Sequence, residues 1–78
     1  MRVTVRVFGS LHRYRPGLVH GAISLDVQPG TTVGRIVRQL GIPDAVPLVI
    51  MVNSTVCDLD SMPTDGDSLY LFPPMAGG

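Results

Sequence analysis

The chain has 78 residues, 45% of them apolar and 15% charged, which is enough for one small core and too little for two. Six basic and six acidic residues cancel to a net charge of +0, so the charge balance marks no nucleic-acid partner. The apolar share argues against a wholly disordered chain, while one Cys and two distant His exclude an internal disulfide and leave no metal site.

Every basic residue is Arg and every acidic residue is Asp. Without Lys, the N-terminus is the only primary amine, so no isopeptide chain can be built on the side chains. The N-terminal segment lacks an apolar run of signal-peptide length. The longest apolar run, residues 48–52, is far short of the roughly 20 residues that cross a bilayer. The expectation is a cytoplasmic protein, in keeping with a small domain free of disulfides, with no membrane and no nucleic-acid partner.

Residues 2–8 alternate, with Val3, Val5 and Val7 on one side and Arg2, Thr4, Arg6 and Phe8 on the other, which predicts a strand. Gly9, Pro16, Gly17 and Gly21 then predict a long loop over 9–22. Ile23, Leu25 and Val27 alternate again and predict the second strand of an antiparallel hairpin. Pro29-Gly30 turns the chain, and Thr31 or Thr32 offers a hydroxyl to the first amides of a helix.

Val33, Ile36, Val37 and Leu40 lie at i, i+3, i+4 and i+7, one aliphatic stripe on a helix of about ten residues. Gly41 and Pro43 end it. Residues 48–52 predict a strand buried on at least one face, 56–59 a short edge strand and Asp65-Gly66-Asp67 a turn. Over 68–72, Leu69 and Leu71 point inward and Tyr70 and Phe72 outward, until Pro73-Pro74 ends the ladder. A β-β-α-β-(β)-β order with a single helix is an α+β domain of two layers, helix on sheet, with the other sheet face in water.

Little in this chain looks catalytic. Gly30 and Gly34 flank a helix start, but no phosphate-loop Lys follows. Asp58 and Asp60 read as a solvated turn rather than paired carboxylates, and His12 and His20 as exposed loop residues. Cys57 reads as a small half-buried thiol rather than a nucleophile. The C-terminus differs. After Pro73-Pro74 come Met75, Ala76, Gly77 and Gly78. Gly77 and Gly78 lack a Cβ, so backbone and carboxylate can enter a channel too narrow for side chains, and the terminal carbon is open to attack. The prolines make the segment project. The expectation is one domain over 1–78 with a flexible tail over 73–78.

Val-Arg-Val-Phe-Gly at 5–9, Pro-Gly-Thr-Thr-Val-Gly at 29–34, Val-Asn at 52–53, Asp-Gly-Asp at 65–67 and Phe-Pro-Pro-Met-Ala-Gly-Gly at 72–78 together resemble the ubiquitin-like β-grasp sulfur carriers. The resemblance covers nearly the whole chain. It is closest to the small subunits of molybdopterin synthase, because Phe-Pro-Pro favours that branch over the thiamine carriers. Two departures stand out. The 10–22 loop is longer and richer in Gly and Pro, and no Lys is present for relatives' interface roles.

The resemblance implies a mixed sheet of four or five strands with one main helix on one face. It implies that a ubiquitin-activating-like adenylyltransferase, using ATP and Mg, adenylates the carboxylate of Gly78. A persulfide sulfur then displaces AMP and leaves a thiocarboxylate. The tail, with Gly77 giving channel access, enters the large subunit of molybdopterin synthase in a hetero-oligomer and donates sulfur to a pterin precursor. The domain itself binds no cofactor or metal and supplies no catalytic acid or base. Thiamine synthesis, another sulfur pathway, or attachment of Gly78 to target proteins as a modifier are the alternative destinations. In the β-grasp order the first and last strands are parallel neighbours. That gathers Arg6, Phe8, Tyr70 and Phe72 on the uncovered sheet face, continuous with Pro73, Pro74 and Met75, as a partner surface. Met51 has ambiguous strand parity.

Overall fold

The computed structural model describes residues 1–14, 22–43 and 45–74. The predicted strands and helix form in the predicted order: β1 (Arg2–Val7), β2 (Ala22–Asp26), α1 (Val33–Gln39), β3 (Val49–Val52), β4 (Thr55–Cys57) and β5 (Ser68–Phe72). The five strands make one mixed sheet in the order β2-β1-β5-β3-β4. Strands β1 and β5 run parallel, and the other three pairings are antiparallel. This is the α+β, ubiquitin-like β-grasp architecture.

Alternation decides which side chains enter the core. Val3, Val5 and Val7 of β1, Leu69 and Leu71 of β5 and Ile50 of β3 are buried on one sheet face, and Val33, Ile36 and Val37 of α1 cover them. Among the described residues the other face has no second layer. Ile23 and Leu25 of β2 pack only at the margin of this core, because β2 is an edge strand.

The helix spans 7 residues, shorter than the apolar stripe suggests. The Thr32 hydroxyl accepts from the amide of Arg35 at 3.3 Å, so Thr32 and not Thr31 is the N-cap. Two further orphan amides at the helix start, those of Val33 and Gly34, donate to the carbonyls of Ser61 and Leu59 at 2.8 and 2.9 Å. A Cβ on Gly34 would lie 3.2 Å from the Leu59 oxygen, so this glycine admits the returning chain. At the far end the amides of Gly41 and Ile42 donate to the carbonyls of Arg38 and Val37, a Schellman closure.

Several boundaries differ from expectation, β1 ending at Val7 and β2 running Ala22–Asp26 among them. A 3-10 helix, Gly9–Tyr14, occupies the start of the predicted loop and buries Leu11. The edge strand, Thr55–Cys57, starts one residue earlier and ends two earlier than expected, because Asn53-Ser54 alone turns β3 into β4. Asn53 there has φ of +55°, as two-residue hairpin turns demand of their first residue. Leu48 precedes β3 rather than joining it.

Candidate functional site

The register of the sheet sets the arrangement of its open face. Arg6 pairs with Tyr70 on one side and Ala22 on the other, Tyr70 pairs with Met51, and Met51 with Val56. One row across the face therefore reads Ala22, Arg6, Tyr70, Met51, Val56. The next row, nearer the end of β5, holds Phe72 opposite Val49. Phe8 joins it from just beyond β1, because its amide continues the ladder by donating to the Leu71 carbonyl at 3.1 Å. The Phe8 ring stacks on Phe72 with centroids 4.6 Å apart and 9° between planes, and on Tyr70 at 6.4 Å. The three rings are thus half-buried by one another, while Arg6 beside them is exposed.

Five of the residues singled out from sequence, Arg6, Phe8, Tyr70, Phe72 and Pro73, come together here. Pro73 follows Phe72 and meets Gly9, and Pro74 is exposed beyond it. Met75, Gly77 and Gly78 lie outside the described residues, as do His20 and the side chain of His12. Met51, whose parity the sequence left ambiguous, extends the patch and is half-buried, and two apolar residues extend it unforeseen, Val49 and Val56, 39% and 69% exposed. Residues 48–52 are apolar without interruption, so period two is invisible there. The signal that resolves them is the Asn53-Ser54 turn, which fixes the pairing of Val52 with Thr55 and hence the parity of Met51.

At the opposite end the same face is polar, with Thr4, Ser24 and Ser68 in one row and the exposed ion pair Arg2–Asp26 at 3.2 Å beyond it. The Arg2 hydrogen bond and charge lower the Asp26 carboxyl below its ordinary value. Here the family-like motifs have structural work. Asp65 accepts from the Arg2 amide at 2.7 Å. Asp67 accepts from the Thr64 amide at 2.8 Å, and then from Asn53 Nδ2 at 3.1 Å, and these bonds hold its carboxyl below the usual aspartate range. Asn53 also accepts from the Ser68 amide at 3.0 Å through Oδ1.

Neither of the remaining chemical candidates is built for catalysis. Asp58 accepts from the Asp60 amide at 3.0 Å and from Ser61 Oγ at 3.3 Å, which is a turn. Cys57 is half-buried against the core, opposite Ile50. Among the described residues no three His, Cys, Asp or Glu side chains gather, and no helix is long and apolar enough to cross a membrane. The arrangement is a stack of three aromatic rings on the open sheet face, at the point where the chain leaves the central strand.

The sequence model of the ThiS family matches residues 5–78. No curated protein matches the chain by sequence. Among solved structures, it is similar to SAMP1 of Haloferax volcanii (TM-score 0.76, 22% identity, 100% of each chain covered). It is also similar to a chain of the complex of subunits 1 and 2 of molybdopterin-converting factor from Helicobacter pylori (TM-score 0.63, 23% identity, 100% of each chain). A third likeness is to Urm1 of Trypanosoma brucei (TM-score 0.69, 18% identity, 99% of this chain and 95% of that one). At these identities the likeness is one of fold.

Proposed function

The chain belongs to the ThiS family of ubiquitin-like sulfur carriers and modifiers, and on that premise we propose that it carries sulfur for molybdopterin synthesis. The observation that carries this reading is the stack of Phe8, Tyr70 and Phe72 at the mouth of a segment that ends Phe-Pro-Pro-Met-Ala-Gly-Gly. A docking face beside a side-chain-free carboxylate suits a domain whose reactive group is used inside another protein's active site.

The chemistry would proceed on Gly78. Its carboxylate attacks ATP and releases pyrophosphate, because a free carboxylate is a poor electrophile and the acyl-adenylate has a good leaving group. The terminal sulfur of a persulfide attacks the carbonyl and AMP leaves. A thiol then reduces the remaining S–S bond, which leaves the thiocarboxylate on Gly78. The adenylyltransferase supplies ATP and Mg²⁺ binding, and this chain supplies the electrophilic carbon and the surface that presents it. The Helicobacter pylori complex of subunits 1 and 2 supports a second partner of the large-subunit type. On this reading that partner would dock on the open face of Arg6, Phe8, Tyr70, Phe72, Met51 and Val49. There the thiocarboxylate would give its sulfur to a pterin precursor.

The likeness to SAMP1, named elsewhere a small archaeal modifier protein, favours a second destination: Gly78 joined to an amine of another protein. Intact mass spectrometry of the chain from its native cell separates these readings. The carrier reading expects a fraction heavier by the replacement of one oxygen by sulfur, lost when one residue is added after Gly78. Sulfur loading of the extended chain would refute the mechanism, and branched Gly-Gly remnants on other proteins would establish the modifier.

A further inference from the structure

We infer that Gly9 is a positioning residue: it seats the Pro73 ring and so sets the direction in which the C-terminal segment leaves the sheet. The functional consequence rests on the carrier reading; the geometry does not. Consecutive residues of the β1 exit hold consecutive residues of the β5 exit. Phe8 stacks on Phe72 at 4.6 Å and donates to the Leu71 carbonyl at 3.1 Å. Gly9, next in line, has no side chain, and a Cβ built there would lie 3.0 Å from Pro73 Cγ and 3.5 Å from Cδ. The turn is tied down behind it, since the amide of Leu11 donates to the Phe8 carbonyl and Leu11 is only 2% exposed.

A proline ring is part of the backbone path. Whatever moves the ring turns the chain that follows, because φ is fixed by the same ring. Gly9 also has φ of +59°, which L side chains rarely adopt, so two independent demands fall on one position. The lever is long. A partner that draws residues 74–78 to full length, about 17 Å, would meet a tilt of about ten degrees at Pro73 as a displacement of roughly 3 Å at the terminal carbon. Misplacement of a reacting atom by about 1 Å can cost on the order of a hundredfold in rate.

The test uses Gly9→Asn, since Asn tolerates positive φ and leaves the added Cβ as the variable. Wild type, Gly9→Asn, Pro73→Ala and the double variant are compared by one-bond Cα–Hα residual dipolar couplings at positions 73 and 74. The same proteins are then assayed by ATP–pyrophosphate exchange with a purified ubiquitin-activating-like adenylyltransferase from the same organism. Gly9→Asn is expected to keep the fold, change the couplings and lower kcat/KM on the order of tenfold. In the Pro73→Ala background the same substitution is expected to cost nothing further. Unchanged couplings in Gly9→Asn, or an equal loss with and without the proline ring, would overturn the inference. Should Gly9→Asn not fold, Pro73→Ala alone decides: couplings at position 74 and kcat/KM both as in wild type would overturn it. Absence of exchange with the wild-type chain would count against the carrier reading and leave the couplings to judge Gly9.

Discussion

Asn53 offers the sharpest energetic test of the fold that presents this face. Its amide donates to the Ser68 carbonyl at 2.7 Å, its Oδ1 accepts from the Ser68 amide at 3.0 Å, and its Nδ2 donates to Asp67 at 3.1 Å. It does this from φ of +55°. Asn53→Gly removes the two side-chain bonds and keeps the backbone at ease. At the low end of about 0.5–1.5 kcal/mol per bond, as suits an exposed site, the loss is about 1–2 kcal/mol. Asn53→Ala removes the same bonds and adds the left-handed cost of a Cβ, about 1 kcal/mol more. Stability should therefore fall in the order Asn, Gly, Ala. With a urea m-value of about 1 kcal/mol/M, the Gly and Ala midpoints should differ by about 1 M. Urea unfolding followed by circular dichroism reads this directly. Equal midpoints for Gly and Ala would show that backbone conformation at this turn carries no cost, and the reasoning would fail.

The aromatic stack gives a second expectation. In a Phe8→Ala, Phe72→Ala double-mutant cycle the coupling in stability should be about 1 kcal/mol, as for other aromatic pairs, and Phe72→Ala should weaken partner binding by more than it lowers stability. Calorimetric titration against the large subunit, beside urea unfolding, reads both, and a binding loss no greater than the stability loss would remove Phe72 from the interface. A third concerns pH. The Asp67 carboxyl is held below its unfolded value of about 3.8, so its stabilisation is present above that value and is lost as pH falls through the folded one. Urea midpoints should decline on acidification below about pH 4, less steeply in Asp67→Asn, and a flat profile would contradict the network. Finally, Cys57→Ser should still accept sulfur at Gly78; loss of loading would place the thiol in the chemistry.

Where the sequence carried a period, it was readable. Val3, Val5 and Val7 declared the inner face of β1, and the Val33, Ile36, Val37 stripe declared the inner face of α1. Leu69 and Leu71 fixed the parity of β5, so Tyr70 and Phe72 could be placed outside beforehand. Their mutual burial was not foreseen, because it depends on Phe8 extending past the last residue of β1. Segments without a period were opaque. Residues 9–14 form a 3-10 helix, whose short span leaves no repeat to read. The apolar run at 48–52 hid Met51 and Val49, since a strand with apolar residues on both faces does not alternate. Thr55 fell just outside the expected edge strand, and the Asn53-Ser54 hairpin brings it in. The roles proposed for Gly77 and Gly78 rested on composition and resemblance, and both residues lie outside the described ones.

The placement of β5 has a mechanical side. The strand that continues into the C-terminal segment is the middle one of five, bonded to parallel β1 on one flank and antiparallel β3 on the other. A machine tugging on that segment would load both ladders in shear, with many bonds sharing the force at once, instead of peeling an edge strand bond by bond. Traction is thereby spread through the centre of the sheet, and the module should withstand a pull on its end without unravelling.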